Sequence, residues 1–391
     1  MENMHVEFDP KNVKILLVDD SPLNLKLLEH TLKQHQFQTN LANHGQEALD
    51  MVAETDYDLI LLDIMMPILD GFGVMAELRK GEKTKDIPVI FITAMNDSEA
   101  KVKGLNLGAN DFITKPFNAS ELVARVRTQL RLKFLNERIK KQHNSMLKDL
   151  SSAQKIQKSL LPTNYPESEA LSFAATYVPC TQVGGDLYDV FRIDDDHLGL
   201  YICDVSGHGV AAAMITVFIK QTFDTYIEQM SSPERLSPMK TMEKINNAFS
   251  EEDFEEYYAT IFYAVINEKT LEMKYSCAAH NGRPFIVKEK DQIVEIGHNA
   301  LAVGWFKDAE FQEETVSLTS GEKILFYTDG IFEAADTEDK IWGLNSFKEF
   351  TLASHFLQPD AFCDKLLKTL EAYTGRTEQE DDIALLIVNV K

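Results

Sequence analysis

The sequence predicts two domains joined by a long helix. The first is a doubly wound parallel α/β domain (12–130), followed by a helical linker (131–160). The second is an α+β domain (161–391) with two packed, mostly antiparallel sheets flanked by helices. Three observations predict this. In the first third, short apolar runs rich in β-branched residues alternate with helical stretches, the pattern of a parallel sheet. Neither Pro nor Gly occurs between Pro116 and Pro162. From Leu171 onward seven apolar runs dominate, with helical stretches between them.

In order, VKILLV (13–18) ends at Asp19-Asp20, and a helical pattern follows with Leu23, Leu27, Leu28 and Leu32 on one face. LILL then ends at Asp63, VIFIT at Thr93, and DFIT at Lys115-Pro116. Ligands of such sheets bind at the carboxyl ends of the strands, so Asp19, Asp20, Asp63, Thr93 and Lys115 should converge. Three carboxylates together need a divalent cation to offset their repulsion. With Mg²⁺ bound, Asp63 can attack a phosphoryl donor while the metal and Lys115 neutralise the transferring oxygens. Met66-Pro67 and Asp70-Gly71 follow Asp63. The plainer reading is a generic doubly wound domain with polar strand ends.

Over residues 12–130 this set resembles the receiver domain of bacterial response regulators. The resemblance implies Asp63 as phosphoacceptor from a sensor histidine kinase. It implies Mg²⁺ held by Asp19, Asp20, Asp63 and the Met65 carbonyl. Thr93 and Lys115 would sense the phosphoryl group, and Phe112 would be the aromatic switch.

Next, Asn118 can cap a helix, with Glu121 completing a capping box. Leu132, Leu135, Ile139, Met146, Ala153, Ile156 and Leu160 follow a heptad-like spacing interrupted at Gln142 and Asp149. A continuous helix from Ser120 to Leu160 would be roughly 60 Å long. It either folds back on its own domain or pairs as a parallel coiled coil, and the expectation is a homodimer.

The later strands are FAATYV, LGLYICDV, YATIFYAVI, MKYSCAA, RPFIVK, KILFYTDG and IALLIVNV, with helices expected at 210–229, 238–249 and 360–373. The acidic EEDFEEYY (251–258) reads as a solvated loop or strand entry. Asp186, Asp204, Asp329 and one of Asp381 or Asp382 sit at apolar strand ends beside small or turn residues. Carboxylates without a His or Cys ligand pattern point to Mg²⁺ or Mn²⁺. Two such ions can hold a water and a phosphoryl oxygen together.

GGDLYD, DVSGHG, YTDGIFEA and DDIALLIV, with AxxIQxSLLP at Ala153 to Pro162, resemble the PPM-type serine/threonine phosphatases of the sporulation and stress-response kind. That resemblance implies two Mn²⁺ or Mg²⁺ ions. Asp204 would bridge them, with Asp186 and the Val205 carbonyl on one side and Asp329 and Asp381 on the other. It favours Asp381 over Asp382. His208 either assists protonation or is a structural turn residue. Two motifs mislead. GGDLYD is similar to the GGDEF signature of diguanylate cyclases, but Leu187 and Tyr188 break it. CAAHNGR (277–283) has the spacing of a cysteine phosphatase loop, but Ser276, His280 and Pro284 do not fit, so a β-hairpin turn is expected.

The net charge of −23 sets the chain against nucleic acid or an anionic membrane as partner. No basic recognition helix follows the first domain, and the longest apolar run is too short to span a bilayer. The four cysteines lack paired spacing, so free thiols in a reducing cytoplasm are expected. The function expected is a response regulator whose output is a metal-dependent protein-serine/threonine phosphatase. Family resemblance suggests a phosphorylated anti-sigma-factor antagonist as substrate, in a partner-switching pathway. The rival is a non-catalytic adaptor that binds a sigma or anti-sigma factor. The intact acidic set argues for catalysis, because an adaptor has no need to hold four carboxylates together.

Overall fold

The computed structural model describes residues 8–94, 98–252, 254, 256–288, 292–375 and 379–391. Its first unit, residues 1–146, contains β1 (Lys14–Val18), α1 (Pro22–Gln34), β2 (Gln38–Ala42), α2 (Gly45–Glu54), β3 (Leu59–Asp63), α3 (Gly71–Lys80), β4 (Val89–Ala94), α4 (Ser98–Asn106) and β5 (Asp111–Lys115). The strands form a parallel sheet in the order β2-β1-β3-β4-β5. Successive strand residues face opposite sides. Leu16, Val18, Ile60 and Leu62 therefore pack with Val52, Val74 and Leu78 of α2 and α3. Ile15, Leu17, Leu59 and Leu61 pack with Leu25, Leu28 and Leu32 of α1. Each fully buried aliphatic side chain contributes about 1.5–3 kcal/mol. Strand β2 was not expected: it is an edge strand of sequence QTNLA, in which only Ala42 is buried.

Helix α5 (Ala119–Leu160) follows. Asn118 Oδ1 accepts the Ser120 N–H at 2.7 Å, as the capping expectation requires. Glu121 does not complete the box; its carboxylate takes Arg125 Nε at 3.0 Å. Leu122, Val126 and Leu130 of α5 join the core on the α1 side of the sheet. The helix remains attached beyond residue 130. Lys133 Nζ pairs with Asp58 at 2.6 Å, Lys140 Nζ with Asp86 at 2.9 Å, and the Phe134 ring lies 5.4 Å from that of Phe8. Leu132, Ile139 and Met146, spaced seven apart, are 50%, 54% and 62% exposed.

The second unit, residues 147–391, begins with β6 (Leu171–Val178), β7 (Asp186–Arg192), β8 (His197–Val205), α6 (Val210–Gln229), α7 (Ser232–Arg235), α8 (Pro238–Glu251), β9 (Ala259–Asn267) and β10 (Glu272–Ala278). It continues with β11 (Phe285–Lys288), β12 (Gln292–Glu295), β13 (Glu314–Ser317), β14 (Lys323–Tyr327), α9 (Gly330–Glu333), α10 (Leu344–Ser354), α11 (Pro359–Thr374) and β15 (Ile383–Val390). Two five-stranded antiparallel sheets result, β13-β10-β9-β8-β7 and β12-β11-β14-β15-β6. Leu200, Ile202 and Phe262 of one meet Phe326, Leu386 and Val388 of the other in a shared core. On the outer faces, Tyr201 and Tyr263 pack with Phe223 and Ile245 of α6 and α8. Leu385 and Ile387 pack with Leu366 and Leu370 of α11. Burial on both faces explains why β8 and β15 read as continuous apolar runs.

The expected hairpin at CAAHNGR is corrected. Strand β10 pairs with β9 and β13, whereas β11 pairs with β12 and β14, so the segment crosses from one sheet to the other. Of the acidic stretch 251–258, Asp253 and Glu255 lie outside the described residues. Among the described residues, no helix is long and apolar enough to cross a membrane.

Candidate functional site

Parallel strands β1, β3 and β5 bring their carboxyl ends together. Donor oxygens of Asp19, Asp20 and Asp63 lie within 4.8 Å of one another. Asp19 is fully buried and is held by the Ser21 N–H at 2.9 Å and by Asn24 Nδ2. Lys115 Nζ bridges Asp19 at 2.8 Å and Asp63 at 2.9 Å. Burial pushes the Asp63 carboxyl up; Lys115 opposes this, while Asp19 and Asp20 add to it. Burial also works against the Lys115 charge, but its two carboxylate partners outweigh it and hold the ammonium above its ordinary range. The two shifts are not mirror images, because Asp63 feels two further acids and Lys115 feels two partners. Three hard oxygen donors around one lysine fit Mg²⁺ in chemistry and spacing.

Thr93 is buried at the end of β4, and Met65, just past β3, is 75% exposed. Phe112, on β5, lies with Thr93, Ile64 and Leu105 around a small apolar gap. The Arg125 guanidinium stands 5.9 Å from its ring.

The second site sits at one rim of the two sheets. Asp186 opens β7 and faces Asp204, near the end of β8, directly across the antiparallel ladder. Asp329 follows β14, and Asp381 precedes β15. Asp204, Asp329 and Asp381 line an open cleft of about 430 Å³ with Ser206, His208 and Trp305. Asp186, opposite Asp204 on the ladder, is 2% exposed, its Oδ2 accepting the Thr328 hydroxyl at 2.6 Å. Burial first, then Asp204 and Asp382, drive the Asp186 carboxyl well above its ordinary range. Asp204 is raised by burial, then by Asp329 and Asp381. Asp381 is raised by burial and by Asp329. None of these four forms an ion pair with Lys or Arg among the described residues. Carboxylates whose charges push Asp186, Asp204 and Asp381 up fit hard divalent cations.

Asp382, next to Asp381, is enclosed by backbone. It is 4% exposed, and its oxygens accept the Cys180 N–H at 2.7 Å and the Gly185 N–H at 2.5 Å. The backbone closes tightly around it. A Cβ on Gly184 would come within 2.2 Å of Asp382 Oδ2, and one on Gly330 within 2.0 Å of its carbonyl oxygen. The glycines of GGD and DG therefore let three chain segments meet at Asp382. Cys180 is half-buried, its Sγ within 4.8 Å of carboxylate oxygens of Asp381 and Asp382, whereas Cys203, Cys277 and Cys363 are buried; all four are free. Burial pushes the Cys277 thiol up, so it offers no ready thiolate.

The sequence reading missed several groups around the cleft. Asn281 Nδ2 donates to Asp329 at 3.3 Å, and Glu333 is raised by burial and by Asp329. Gln157 near the end of α5 is 4% exposed. Its amide clasps the Gly184 backbone, Nε2 to the carbonyl at 2.6 Å and Oε1 from the N–H at 3.1 Å. Gln157 belongs to the AxxIQxSLLP motif, Thr328 to YTDGIFEA and Asn281 to CAAHNGR, but their partners lie 27, 142 and 48 residues away.

A response-regulator type of site in the first unit and an acidic cleft on a two-sheet sandwich in the second define a two-part signalling protein. The family model for Stage II sporulation protein E (SpoIIE) matches residues 194–391, more than half of the chain, and the chain belongs to that family. The response regulator receiver domain model matches residues 15–127. The chain thus joins a receiver domain to a PPM-type phosphatase domain. Over 118 residues it is 44% identical to the transcriptional regulatory protein PcoR of Escherichia coli, covering 30% of this chain and 51% of that protein. Over 134 residues it is 40% identical to the response regulator PleD of Caulobacter vibrioides, covering 34% and 30%. The matches thus span about half or less of these relatives' length. The SiaA-PP2C domain of Pseudomonas aeruginosa shares the fold, with TM-score 0.56 and 21% identity over 64% of this chain and 98% of that one. So do the RsbU and RsbW domains of Rv1364c from Mycobacterium tuberculosis, with TM-score 0.50 and 23% identity over 59% and 63%.

Proposed function

We propose that this protein is a response regulator whose phosphorylation at Asp63 controls a metal-dependent protein-serine/threonine phosphatase. The observation that carries the reading is the cleft lined by Asp204, Asp329 and Asp381, with Asp186 paired to Asp204 on the adjacent strand, all without Lys or Arg partners among the described residues. Asp186, Asp204, the Val205 carbonyl, Asp329 and Asp381 would hold two Mn²⁺ or Mg²⁺ ions. When bound, these ions supply Lewis acidity and activate water at neutral pH. Thr328 fixes the Asp186 carboxylate, and Asn281 holds Asp329. His208, exposed in the cleft wall, would either pass a proton to the leaving oxygen or serve only the turn.

In the receiver, Mg²⁺ would be held by Asp19, Asp20, Asp63 and the Met65 carbonyl. An Asp63 oxygen bonds to phosphorus as the phosphorus–nitrogen bond of the kinase's phosphohistidine breaks. Lys115, already against Asp63, balances charge on the transferred group, with Thr93 and Phe112 as sensor and switch. Helix α5 is the route of control. Within the first unit Lys133 and Lys140 pin it to Asp58 and Asp86. Within the second, Gln157 clasps Gly184, two residues before Asp186. The exposed heptad positions Leu132, Ile139 and Met146 support a parallel homodimer through α5. A phosphorylated anti-sigma-factor antagonist is the proposed substrate, in a partner-switching pathway in the cytoplasm.

The test is hydrolysis of p-nitrophenyl phosphate and of a phosphoserine protein. Mn²⁺ should support turnover. Chelation, Asp204→Ala or Asp329→Ala should remove it, and Cys277→Ser should not. Activity that survives chelation but is lost in Cys277→Ser would overturn the proposal.

A further inference from the structure

Between β12 and β13 the chain passes over the rim of the cleft. Its backbone there is held from both sides. Val303 exchanges both hydrogen bonds with Ala259, at 3.0 and 2.9 Å. The side chain of Asn246 on α8, itself fully buried, accepts the Gly304 N–H at 3.0 Å and donates to the Phe306 carbonyl at 3.0 Å. A buried amide thus clamps the backbone on both sides of Trp305. Trp305 is nevertheless 51% exposed and Phe306 60%. Trp305 packs edge-on against Tyr258, ring centroids 5.2 Å apart, and both line the cleft with Asp204, Asp329 and Asp381. Leu301, earlier on the same segment, is also exposed, as are Val210 and Met214 in the first turns of α6. Large aromatics carried on a fixed backbone and half in water suit binding anchors, because they can bury much area on contact.

We propose that Trp305 and Phe306 form a specificity-determining lip that selects phosphoproteins with apolar side chains beside the phosphorylated residue. This rests on the reading of the cleft as a phosphatase centre and adds its substrate preference. A phosphorylated side chain that reaches Asp204, Asp329 and Asp381 enters beside the Trp305 ring. The residues flanking it then lie against the lip. Acidic flanks are disfavoured by the chain's net charge of −23. Apolar flanks gain by covering the two rings.

The test uses the full chain with Mn²⁺ and two synthetic phosphoserine peptides of equal length and charge. One carries Leu and Val beside the phosphoserine, the other Ser and Gly. Wild type should favour the apolar peptide in kcat/KM by about tenfold, the effect of burying part of one aromatic ring. Trp305→Ala and Phe306→Ala should each bring the ratio towards one, while Trp305→Tyr should keep most of it. Asn246→Ala leaves both rings but frees the backbone, so it should raise KM for the apolar peptide more than it lowers kcat. If Trp305→Ala misfolds by circular dichroism, the exposed Phe306→Ala decides. A wild-type ratio near one, or one unchanged in the folded variants, overturns the lip. Failure of wild type to hydrolyse p-nitrophenyl phosphate would overturn the catalytic reading, and the lip with it.

Discussion

His280 should make the second unit labile to acid. It is 4% exposed at the crossing between the two sheets. Its Nε2 lies 3.0 Å from the Tyr327 carbonyl, which can only accept, so Nε2 carries the proton. Nδ1 then accepts from the Thr260 hydroxyl at 3.0 Å. A second proton on the ring would be a buried charge, and burial lowers its pKa from 6.5 to about 4. The unfolded chain binds that proton near pH 6.5, whereas the native chain resists it until about pH 4. The stability is therefore full above the unfolded value and is lost as pH falls through this window. The loss amounts to about 3 kcal/mol, from a shift of roughly two and a half units. The chain's two tryptophans, Trp305 and Trp342, both lie in the second unit, so urea unfolding followed by their fluorescence reports on it alone. His280→Ala should be less stable near neutral pH, because Thr260 and Tyr327 lose their partner. Its stability should fall less between about pH 6.5 and 4.5, so that the two proteins converge. Groups that titrate alike in both cancel from the difference. Parallel pH profiles would refute the reasoning.

Three further outcomes are expected. Asp63→Asn should abolish labelling by acetyl phosphate while leaving the far-ultraviolet circular dichroism unchanged; undiminished labelling would exclude Asp63 as the acceptor. Gln157→Leu strands the buried N–H and carbonyl of Gly184 and should cost about 2–4 kcal/mol by urea unfolding. It should also raise the Mn²⁺ concentration needed for turnover, and an unchanged metal requirement would disconnect α5 from the cleft. Ile139→Asp with Met146→Asp should yield a monomer by light scattering that no longer responds to beryllofluoride. A monomeric wild type that does respond would rule out the paired helix.

The sequence by itself determined the strand-end chemistry. An α/β sheet delivers its strand ends to one edge, so Asp19, Asp63 and Lys115 could be grouped from their order alone, and the 2.8 and 2.9 Å contacts follow. The long helix was also legible, because an absence of Pro and Gly over more than forty residues is a local property. Edge strand β2 was not, since only Ala42 of its residues is buried and its pattern resembles that of a loop. Only the tertiary structure shows what Asp382 touches, whereas the preference for Asp381 as ligand came from the resemblance. The two are adjacent in sequence and alike in chemistry, but the direction of β15 turns Asp382 onto the Cys180 and Gly185 amides. It also converted the expected hairpin after Cys277 into a crossing between sheets, because strand pairing depends on partners far along the chain. Gln157, Thr328 and Asn281 were likewise joined to the site only by the fold. Each acts through a hydrogen bond to a residue 27 to 142 positions away, and such a contact leaves no period or spacing in a single sequence.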